Sequence, residues 1–255
     1  MNLYWLEQTE ADVPAENDWL SAVETQRLEG LRFPKRRGDW RLGRWTAKRA
    51  VAAYLNLAAD PTALAAIEIR PAPSGAPEVF LADGPAAIAI SLSHSAGTAV
   101  CAVTPFPAAV GCDLEVIEPR SDGFFDDYFT AEEQAMVARM SAADRPWLFT
   151  LLWSAKESAL KALRVGLRAD TRSVRVNLVD TESPAGDSDG HLADPAFIGR
   201  AANFNSWFSL RVDSNDGKVF RGWWQRAGNL VRTVVADPPP ASPIRLELTP
   251  GMIAR

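Results

Sequence analysis

Cysteine and histidine are scarce in this sequence. Of 255 residues only two are Cys and two are His, and neither histidine lies in a cluster with the spacing of zinc ligands. Cys101 and Cys112 both lie in apolar, strand-like runs, so we expect two small core residues and no disulfide framework. The chemistry must therefore come from other residue types than a zinc cluster or a reactive cysteine pair.

Long apolar runs and a surplus of basic residues are also missing. No stretch approaches the roughly 20 apolar residues that span a bilayer, and the first residues lack a basic region followed by an apolar one. The net charge of -5 argues against general nucleic-acid binding. We expect a cytoplasmic protein without membrane or nucleic-acid partners. Its 47% hydrophobic content suffices for one large or two small domains.

Common nucleotide-binding and hydrolase motifs are absent as well. No Walker A loop and no G-x-G-x-x-G follows a predicted strand. No G-x-S-x-G elbow is present, and Ser93-His94-Ser95 supplies no separate strand-to-helix nucleophile. Metal-assisted phosphoryl transfer on an unconventional scaffold survives this elimination.

Three carboxylates occur in two segments with regular spacing. The buried strand predicted at Val110 to Val116 carries Asp113 and Glu115 two positions apart, hence on one side. In the helix-forming run from Trp153 to Leu163, Glu157 lies four residues before Lys161 and can pair with it. Carboxylate oxygens are the ligands that Mg²⁺ prefers. A blander interpretation treats the pair as an exposed ion pair and the other acids as structural.

Basic residues are concentrated in one predicted helix. Between Arg32 and Arg49 eight basic residues stand against one acid, and the helix is expected to run to Leu57. One stripe of that helix holds Arg37, Arg41, Arg44 and Lys48. In an acidic protein such a stripe favours a phosphate-bearing ligand or an acidic partner, although a solvated basic face would show the same pattern.

The order of elements predicts an α+β fold. Each half offers a long helix and several strands, with a boundary at Pro105 to Pro107. We expect an N-terminal half at 1–107, a C-terminal half at 108–236 and a Pro-rich tail at 237–255, with a loop at 181–195. Thr130 and Glu133 form a predicted capping box. Asp144 is expected to cap the following helix, which Gly166 should end.

Three blocks together carry a family resemblance. They are Ser91-x-Ser93-His94-Ser95, Gly111-x-Asp113-x-Glu115 and Trp153-Ser154-x-Lys156-Glu157-Ser158-x-x-Lys161-Ala162. In order and spacing they resemble the 4′-phosphopantetheinyl transferases of the two-half type, which activate polyketide and non-ribosomal peptide synthetases. The resemblance implies a monomer of two similar, pseudo-duplicated α/β halves with the active site in the cleft between them. It also implies Mg²⁺, with Mn²⁺ as the alternative, and transfer of 4′-phosphopantetheine from coenzyme A to a serine of an apo acyl or peptidyl carrier protein. The other product is adenosine 3′,5′-bisphosphate.

The resemblance also assigns roles to residues. Asp113, Glu115 and Glu157 would bind the metal, and Glu157 would help deprotonate the carrier serine, directly or through a water on the metal. Lys161 would contact the transferred phosphate. The remaining coenzyme A contacts would be Lys156 at the pyrophosphate, Ser93 and His94 at the 3′-phosphate, and the arginines Arg37, Arg44 and Arg49.

One departure leaves an alternative open. Where the family often has a basic residue between Gly and Pro, this chain has Gly75-Ala76-Pro77. Ala76 therefore favours a second hypothesis, a non-catalytic module that binds coenzyme A or a carrier protein. A third hypothesis takes the carboxylates as structural and the basic stripe as a docking face for an acidic partner.

Overall fold

The computed structural model describes residues 1–178 and 206–248, which fall into two compact units. The first unit comprises Asn2–Ala108 together with the chain from Pro243 onward, and the second comprises Ala109–Ser242 with Met1. The loop predicted at 181–195 and the end of the predicted tail, 249–255, lie outside the described residues.

The first unit combines one long helix with antiparallel strands. Its elements are β1 (Tyr4–Thr9), α1 (Ala22–Glu29), α2 (Pro34–Leu55), α3 (Pro61–Ala65), β2 (Glu68–Pro71), β3 (Pro77–Leu81), β4 (Gly84–Pro85), β5 (Ile88–Ser95) and β6 (Thr98–Pro105). Strands β2, β3 and β4 form a small sheet. The apolar side of α2, which includes Trp45, Ala47 and Val51, is buried in the core of this unit.

The second unit also places one long helix between its first strand and its remaining strands. It contains β7 (Ala109–Val116), α4 (Asp122–Tyr128), α5 (Ala131–Ala138), α6 (Arg145–Ala162), β8 (Val174–Leu178), β9 (Phe208–Ser214), β10 (Val219–Ala227) and β11 (Leu230–Asp237). The five strands form one sheet in the order β7-β11-β10-β9-β8. Helix α6 packs on this sheet through apolar residues at helical spacing, among them Leu148, Leu152, Ala155 and Ala159.

A last short strand belongs to the first unit. β12 (Ile244–Arg245) pairs in parallel with β1, which completes a four-stranded sheet in the order β12-β1-β6-β5. The predicted α+β class is confirmed. Both cysteines are buried residues of strands, Cys101 in β6 and Cys112 in β7, as predicted. Within residues 1–178 and 206–248, no helix is long and apolar enough to cross a membrane.

One predicted helix end was wrong, whereas the predicted cap Asp144 is at the N-cap position of α6 but lacks the capping bond. Helix α6 ends at Ala162, before Gly166, because Arg164 already adopts a left-handed conformation with φ 60°. Asp144 has helical backbone angles and makes no capping bond with its side chain; its carboxylate instead accepts a hydrogen bond from the Ser141 hydroxyl. The capping box of Thr130 and Glu133 is confirmed at the start of α5.

Candidate functional site

The strand β7 and the helix α6 lie unusually close together at Gly111. A methyl group at Gly111 would overlap the backbone carbonyl oxygen of Ser158 and lie 2.7 Å from the backbone nitrogen of Ala162. Only glycine fits there, since no side chain separates the two backbones. Because strand residues alternate in direction, Asp113 and Glu115 lie on the same side of β7 as Gly111, toward α6. The predicted strand and helix therefore bring their charged residues together.

Lys161 is the centre of an ion-pair network in this region. Its Nζ lies 2.7 Å from Asp113 Oδ1 and 3.8 Å from Glu157 Oε2, and it donates to the carbonyl oxygen of Cys112 at 3.1 Å. Asp113 is buried, whereas the Lys161 side chain is 27% exposed. The sequence predicted the i, i+4 pair of Glu157 and Lys161, but the shorter contact is the one between α6 and β7. Lys161 therefore holds the strand acid first and the helix acid second.

Glu115 is held by a tryptophan from α6. The indole Nε1 of Trp153 donates to Glu115 Oε1 at 3.2 Å, and a guanidinium nitrogen of Arg120 lies 4.0 Å from Glu115 Oε2. The spacing of the sequence did not predict this contact between Trp153 and Glu115. Trp153 lies one helical turn before Glu157, so the same side of α6 supplies both an N–H donor and a carboxylate.

Burial and mutual repulsion perturb both glutamates. Burial first, and then the charge of Asp113, raises the pKa of Glu115 to about 7. The same two causes raise the pKa of Glu157 to about 7, with Lys161 opposing them and Glu115 adding to them. Burial opposes the charge of Lys161, but Asp113 and Glu157 outweigh it and raise the pKa of that ammonium. Three acids therefore compete for too few positive charges near neutral pH.

The fit of a divalent cation to these acids has two sides. Asp113, whose charge raises the pKa of both glutamates, forms with them a set of carboxylate donors suited to a hard cation with oxygen ligands. Yet across residues 1–178 and 206–248 no three His, Cys, Asp or Glu side chains are arranged to hold a metal ion. Instead, the Lys161 ammonium forms an ion pair with Asp113. The donor chemistry fits a cation, whereas the present side-chain positions do not converge on one point.

Lys156 is in an environment that the sequence did not predict. Its side chain is fully buried, and its Nζ lies 2.8 Å from Glu133 Oε2. The ammonium also donates to the carbonyl oxygens of Thr171 at 2.9 Å and Val174 at 2.6 Å. Burial lowers the pKa of Lys156, and Glu133 counteracts this. With all three N–H groups used inside the protein, Lys156 is a poor candidate for the predicted pyrophosphate contact.

The basic stripe of α2 is largely occupied by contacts within the first unit. Arg37 donates to the carbonyl oxygens of Leu28 and Leu31, and Arg41 donates to those of residues 14–16. Arg44 donates to Ile69 and lies 3.6 Å from Glu24, and Lys48 is fully buried. These cations bind segments before and after α2 to that helix, which sequence periodicity could not reveal.

The other predicted phosphate contacts in the first unit are Arg49, Ser93 and His94, of which His94 is exposed. The Arg49 guanidinium lies over the Trp45 ring at 5.4 Å, burial lowers the pKa of Arg49, and its Nε is buried with no hydrogen-bond partner among the described residues. His94 is exposed near the end of β5, and the neighbouring Ser93 is half-buried. Of the predicted arginines, Arg49 is the one that makes no hydrogen bond to a carbonyl group of the described chain.

Comparison with known proteins agrees with the motif resemblance. Residues 109–210 match the sequence model of the family described as the 4'-phosphopantetheinyl transferase superfamily. No curated protein matches the chain. Among solved structures, Helicobacter pylori holo-[acyl-carrier-protein] synthase in complex with coenzyme A is 18% identical over 40% of this chain and 98% of that one, with a TM-score of 0.28. The matched residues include the whole network of Asp113, Glu115, Glu157 and Lys161.

Proposed function

Because residues 109–210 carry the sequence of the 4'-phosphopantetheinyl transferase superfamily, we propose that this protein transfers 4′-phosphopantetheine from coenzyme A to a serine of an apo acyl or peptidyl carrier protein. Adenosine 3′,5′-bisphosphate is the second product. The observation that carries the proposal is the network on β7 and α6, where Lys161 joins Asp113 and Glu157 beside Glu115. It contains carboxylates suited to a divalent cation and an ammonium group suited to a phosphate of a diphosphate substrate.

Asp113, Glu115 and Glu157 are the residues that would hold Mg²⁺ or Mn²⁺. When bound, the ion supplies positive charge that stabilises the leaving phosphate group. Two observations support this assignment: both glutamates have a pKa near 7 in the metal-free chain, and Trp153 fixes one oxygen of Glu115. A metal ligand oriented by a neighbouring donor is the usual arrangement in metalloproteins.

The chain's own residues have two further tasks. In the transfer, a bond forms between the serine Oγ and the phosphorus that carries the pantetheine arm. The bond from that phosphorus to the bridging oxygen breaks, and its electron pair leaves with adenosine 3′,5′-bisphosphate. Glu157 Oε, one helical turn before Lys161, is assigned the serine proton, because a serine hydroxyl attacks only when a positioned base takes its proton. Lys161, whose side chain is 27% exposed within the network, is assigned to the transferred phosphate.

The nucleotide end of coenzyme A is assigned to the first unit. Ser93 and His94 would contact the 3′-phosphate, and Arg49 is the preferred arginine because, unlike Arg37 and Arg44, it makes no hydrogen bond to a carbonyl oxygen of the described residues. Arg37 and Arg44 remain in the proposal with a smaller contribution, since each already donates to backbone carbonyls. Lys156 is left out of the substrate contacts because its ammonium is fully enclosed.

The test is incubation of the protein with coenzyme A, Mg²⁺ and several apo carrier domains, followed by mass spectrometry of the carriers. We expect a mass increase equal to one phosphopantetheine arm on at least one carrier, abolished by chelation of the metal and by Glu157→Gln. Coenzyme A binding without modification of any carrier would contradict the transferase and favour the non-catalytic binding module.

A further inference from the structure

Both units contain the same buried arrangement around one glutamate. In the first unit Ser21 caps α1 and Glu24 is the third residue of that helix; in the second unit Thr130 and Glu133 have the same relation in α5. Each glutamate accepts a hydrogen bond from the backbone N–H of its own cap, at 3.1 Å and 2.9 Å respectively. Each is also buried.

The second carboxylate contact of each glutamate reaches a strand. Glu24 accepts from the backbone N–H of Ile69 in β2 at 3.2 Å, and Glu133 accepts from that of Val176 in β8 at 3.0 Å. These strands follow α2 and α6 in the two units at corresponding places in the element order. One carboxylate thus joins the start of a short helix to a strand in each unit.

A fully buried lysine from the long helix completes each arrangement. Lys48 Nζ lies 2.5 Å from Glu24 Oε2 in the first unit, and Lys156 Nζ lies 2.8 Å from Glu133 Oε2 in the second. Each ammonium donates to two further carbonyl oxygens, which are those of Trp19 and Leu64, and of Thr171 and Val174.

The likeness extends to the surrounding rings and to the spacing along the chain. Each ammonium lies near an aromatic ring that precedes the cap, Trp19 at 5.9 Å and Phe129 at 5.6 Å. A tryptophan stands three residues before each lysine, and the Glu-to-Lys separations of the two units agree to within one residue. Chance would not reproduce this set of contacts in two units, so the arrangement is one device used twice.

The device fixes the rotation of a long helix about its axis. A lysine whose ammonium is bonded in three directions cannot turn without breaking those bonds, and the next residue on a helix is rotated by about 100°. In α6 the next residue is Glu157, and in α2 it is Arg49. The residue beside the buried lysine is therefore an acid in the unit with the carboxylate network and a base in the other.

We propose that Glu133 with Lys156, and Glu24 with Lys48, are positioning pairs that aim the adjacent residue at the substrate. The first pair sets Glu157 for the divalent cation, and the second sets Arg49 for a phosphate of coenzyme A. The inference rests on the proposed function for the identity of these ligands. It changes the role of Lys156 from a substrate contact to a residue that acts through its neighbour.

Stability alone gives a weak reason for either pair. Replacing a buried ion pair by apolar residues of similar volume is often neutral or stabilising, because both charges lose hydration on burial. A pair that served only packing could therefore be replaced without effect on ligand binding. A pair that sets helix rotation could not, since an apolar pair has no directional bonds to the three surrounding groups.

The experiment compares matched variants of the full-length protein in the two units. Glu133→Gln and the double variant Glu133→Gln/Lys156→Met alter the second unit, and Glu24→Gln with the double variant Glu24→Gln/Lys48→Met alter the first. The double variants leave no unpaired buried charge, so folding can be retained where the single variants fail. Circular dichroism and urea unfolding establish folding, electron paramagnetic resonance measures Mn²⁺ affinity, and calorimetry measures metal-free coenzyme A affinity.

We expect each pair to affect the binding of one ligand and to leave the binding of the other unchanged. Changes at Glu133 and Lys156 should weaken Mn²⁺ binding by about 10- to 100-fold, the usual effect of removing a group that orients a metal ligand, with coenzyme A affinity nearly unchanged. Changes at Glu24 and Lys48 should weaken coenzyme A binding by about tenfold, the equivalent of one charged hydrogen bond, with Mn²⁺ affinity nearly unchanged.

Two results would overturn the inference. Folded double variants with wild-type affinity for both ligands would show that the pairs serve packing only, and equal loss of both affinities in either unit would show a general structural effect. A wild-type protein that binds no Mn²⁺ would instead refute the metal site of the proposed function. The coenzyme A measurements on the Glu24 and Lys48 variants would then still decide the role of the first pair.

Discussion

Gly111 is the position where a single methyl group should do the most damage to the site. An added Cβ would overlap Ser158 O and lie 2.8 Å from Ser158 C and 2.7 Å from Ala162 N. All three are backbone atoms of α6, so no flexible side chain can yield. Since non-bonded contacts to carbon lie at about 3.5 Å, and Ser158 O is the closest of the three atoms, β7 and α6 must separate by about 1.5 Å in Gly111→Ala.

We expect that separation to lower both the stability of the fold and the rate of the reaction. Forcing extra volume into a packed interior costs about 1 to 3 kcal/mol of the free energy of unfolding. The displacement would also lengthen the contact of 2.7 Å between Lys161 Nζ and Asp113 Oδ1, and a misplacement of about 1 Å at a reacting centre can cost about 100-fold in rate. We therefore expect Gly111→Ala to remain foldable but to lose most of its transferase activity.

The assay is urea unfolding together with the rate of carrier modification by mass spectrometry. Gly38→Ala in α2 is the control, because an added Cβ there has nothing within 4 Å and should stabilise the helix by about 0.5 to 1 kcal/mol. Wild-type stability and wild-type activity in Gly111→Ala would refute the reasoning that backbone contact between β7 and α6 sets the geometry of the acids.

Three further predictions concern the charges. In the metal-free protein the folded state keeps protons on Glu115 and Glu157 up to about pH 7, whereas the unfolded chain releases them near the ordinary pKa of 4.5. The free energy of unfolding, relative to that of the double Glu→Gln variant, should therefore fall as the pH rises through this window. A difference in urea unfolding that stays constant between pH 4.5 and 7.5 would contradict this prediction. Lys161→Met should lower the free energy of unfolding by about 3 kcal/mol, because buried Asp113 loses this ion-pair partner. The control Lys35→Met removes a lysine that is 88% exposed and should change the free energy of unfolding by under about 1 kcal/mol. Equal effects in the two variants would show that burial does not determine the strength of these ion pairs. Trp153→Phe removes the N–H donor to Glu115 and keeps an aromatic ring. The affinity for Mn²⁺ should therefore fall by about tenfold or more. Unchanged Mn²⁺ affinity in that binding assay would show that the indole does not orient the carboxylate.

Periodicity explains which parts of the site were predictable. Residues two apart in a strand and four apart in a helix share a side wherever the element packs, so Asp113 with Glu115 and Glu157 with Lys161 could be grouped before any tertiary structure was known. The structure keeps both groups and joins them. The capping box at Thr130 was predictable for the same reason, since its bonds lie within four residues.

Tertiary contacts explain what was missed. The stripe of Arg37, Arg44 and Lys48 has the periodicity expected for a ligand-binding face, yet its donors bind carbonyl oxygens that approach from distant segments. A helical stripe looks the same whether a phosphate or a loop covers it. Lys156 could have been suspected, because it lies at helical spacing from buried Leu152 and Ala159, but its partner Glu133 is remote in sequence.

In both long helices, the rotation of the helix about its axis determines which of two neighbouring charged residues is buried. Lys48 and Lys156 are fully buried, whereas Arg49 and Glu157 are only partly so, although each pair is adjacent in sequence. A rotation of about 100° along the helix is enough to turn a side chain from the core to the rim of the packed face. A one-residue slip of α6 would therefore place the glutamate in the core and the lysine at the rim, and would exchange the sign of charge offered to a ligand. The two buried lysines prevent such a slip because each has acceptors for all its N–H groups at one helix rotation alone.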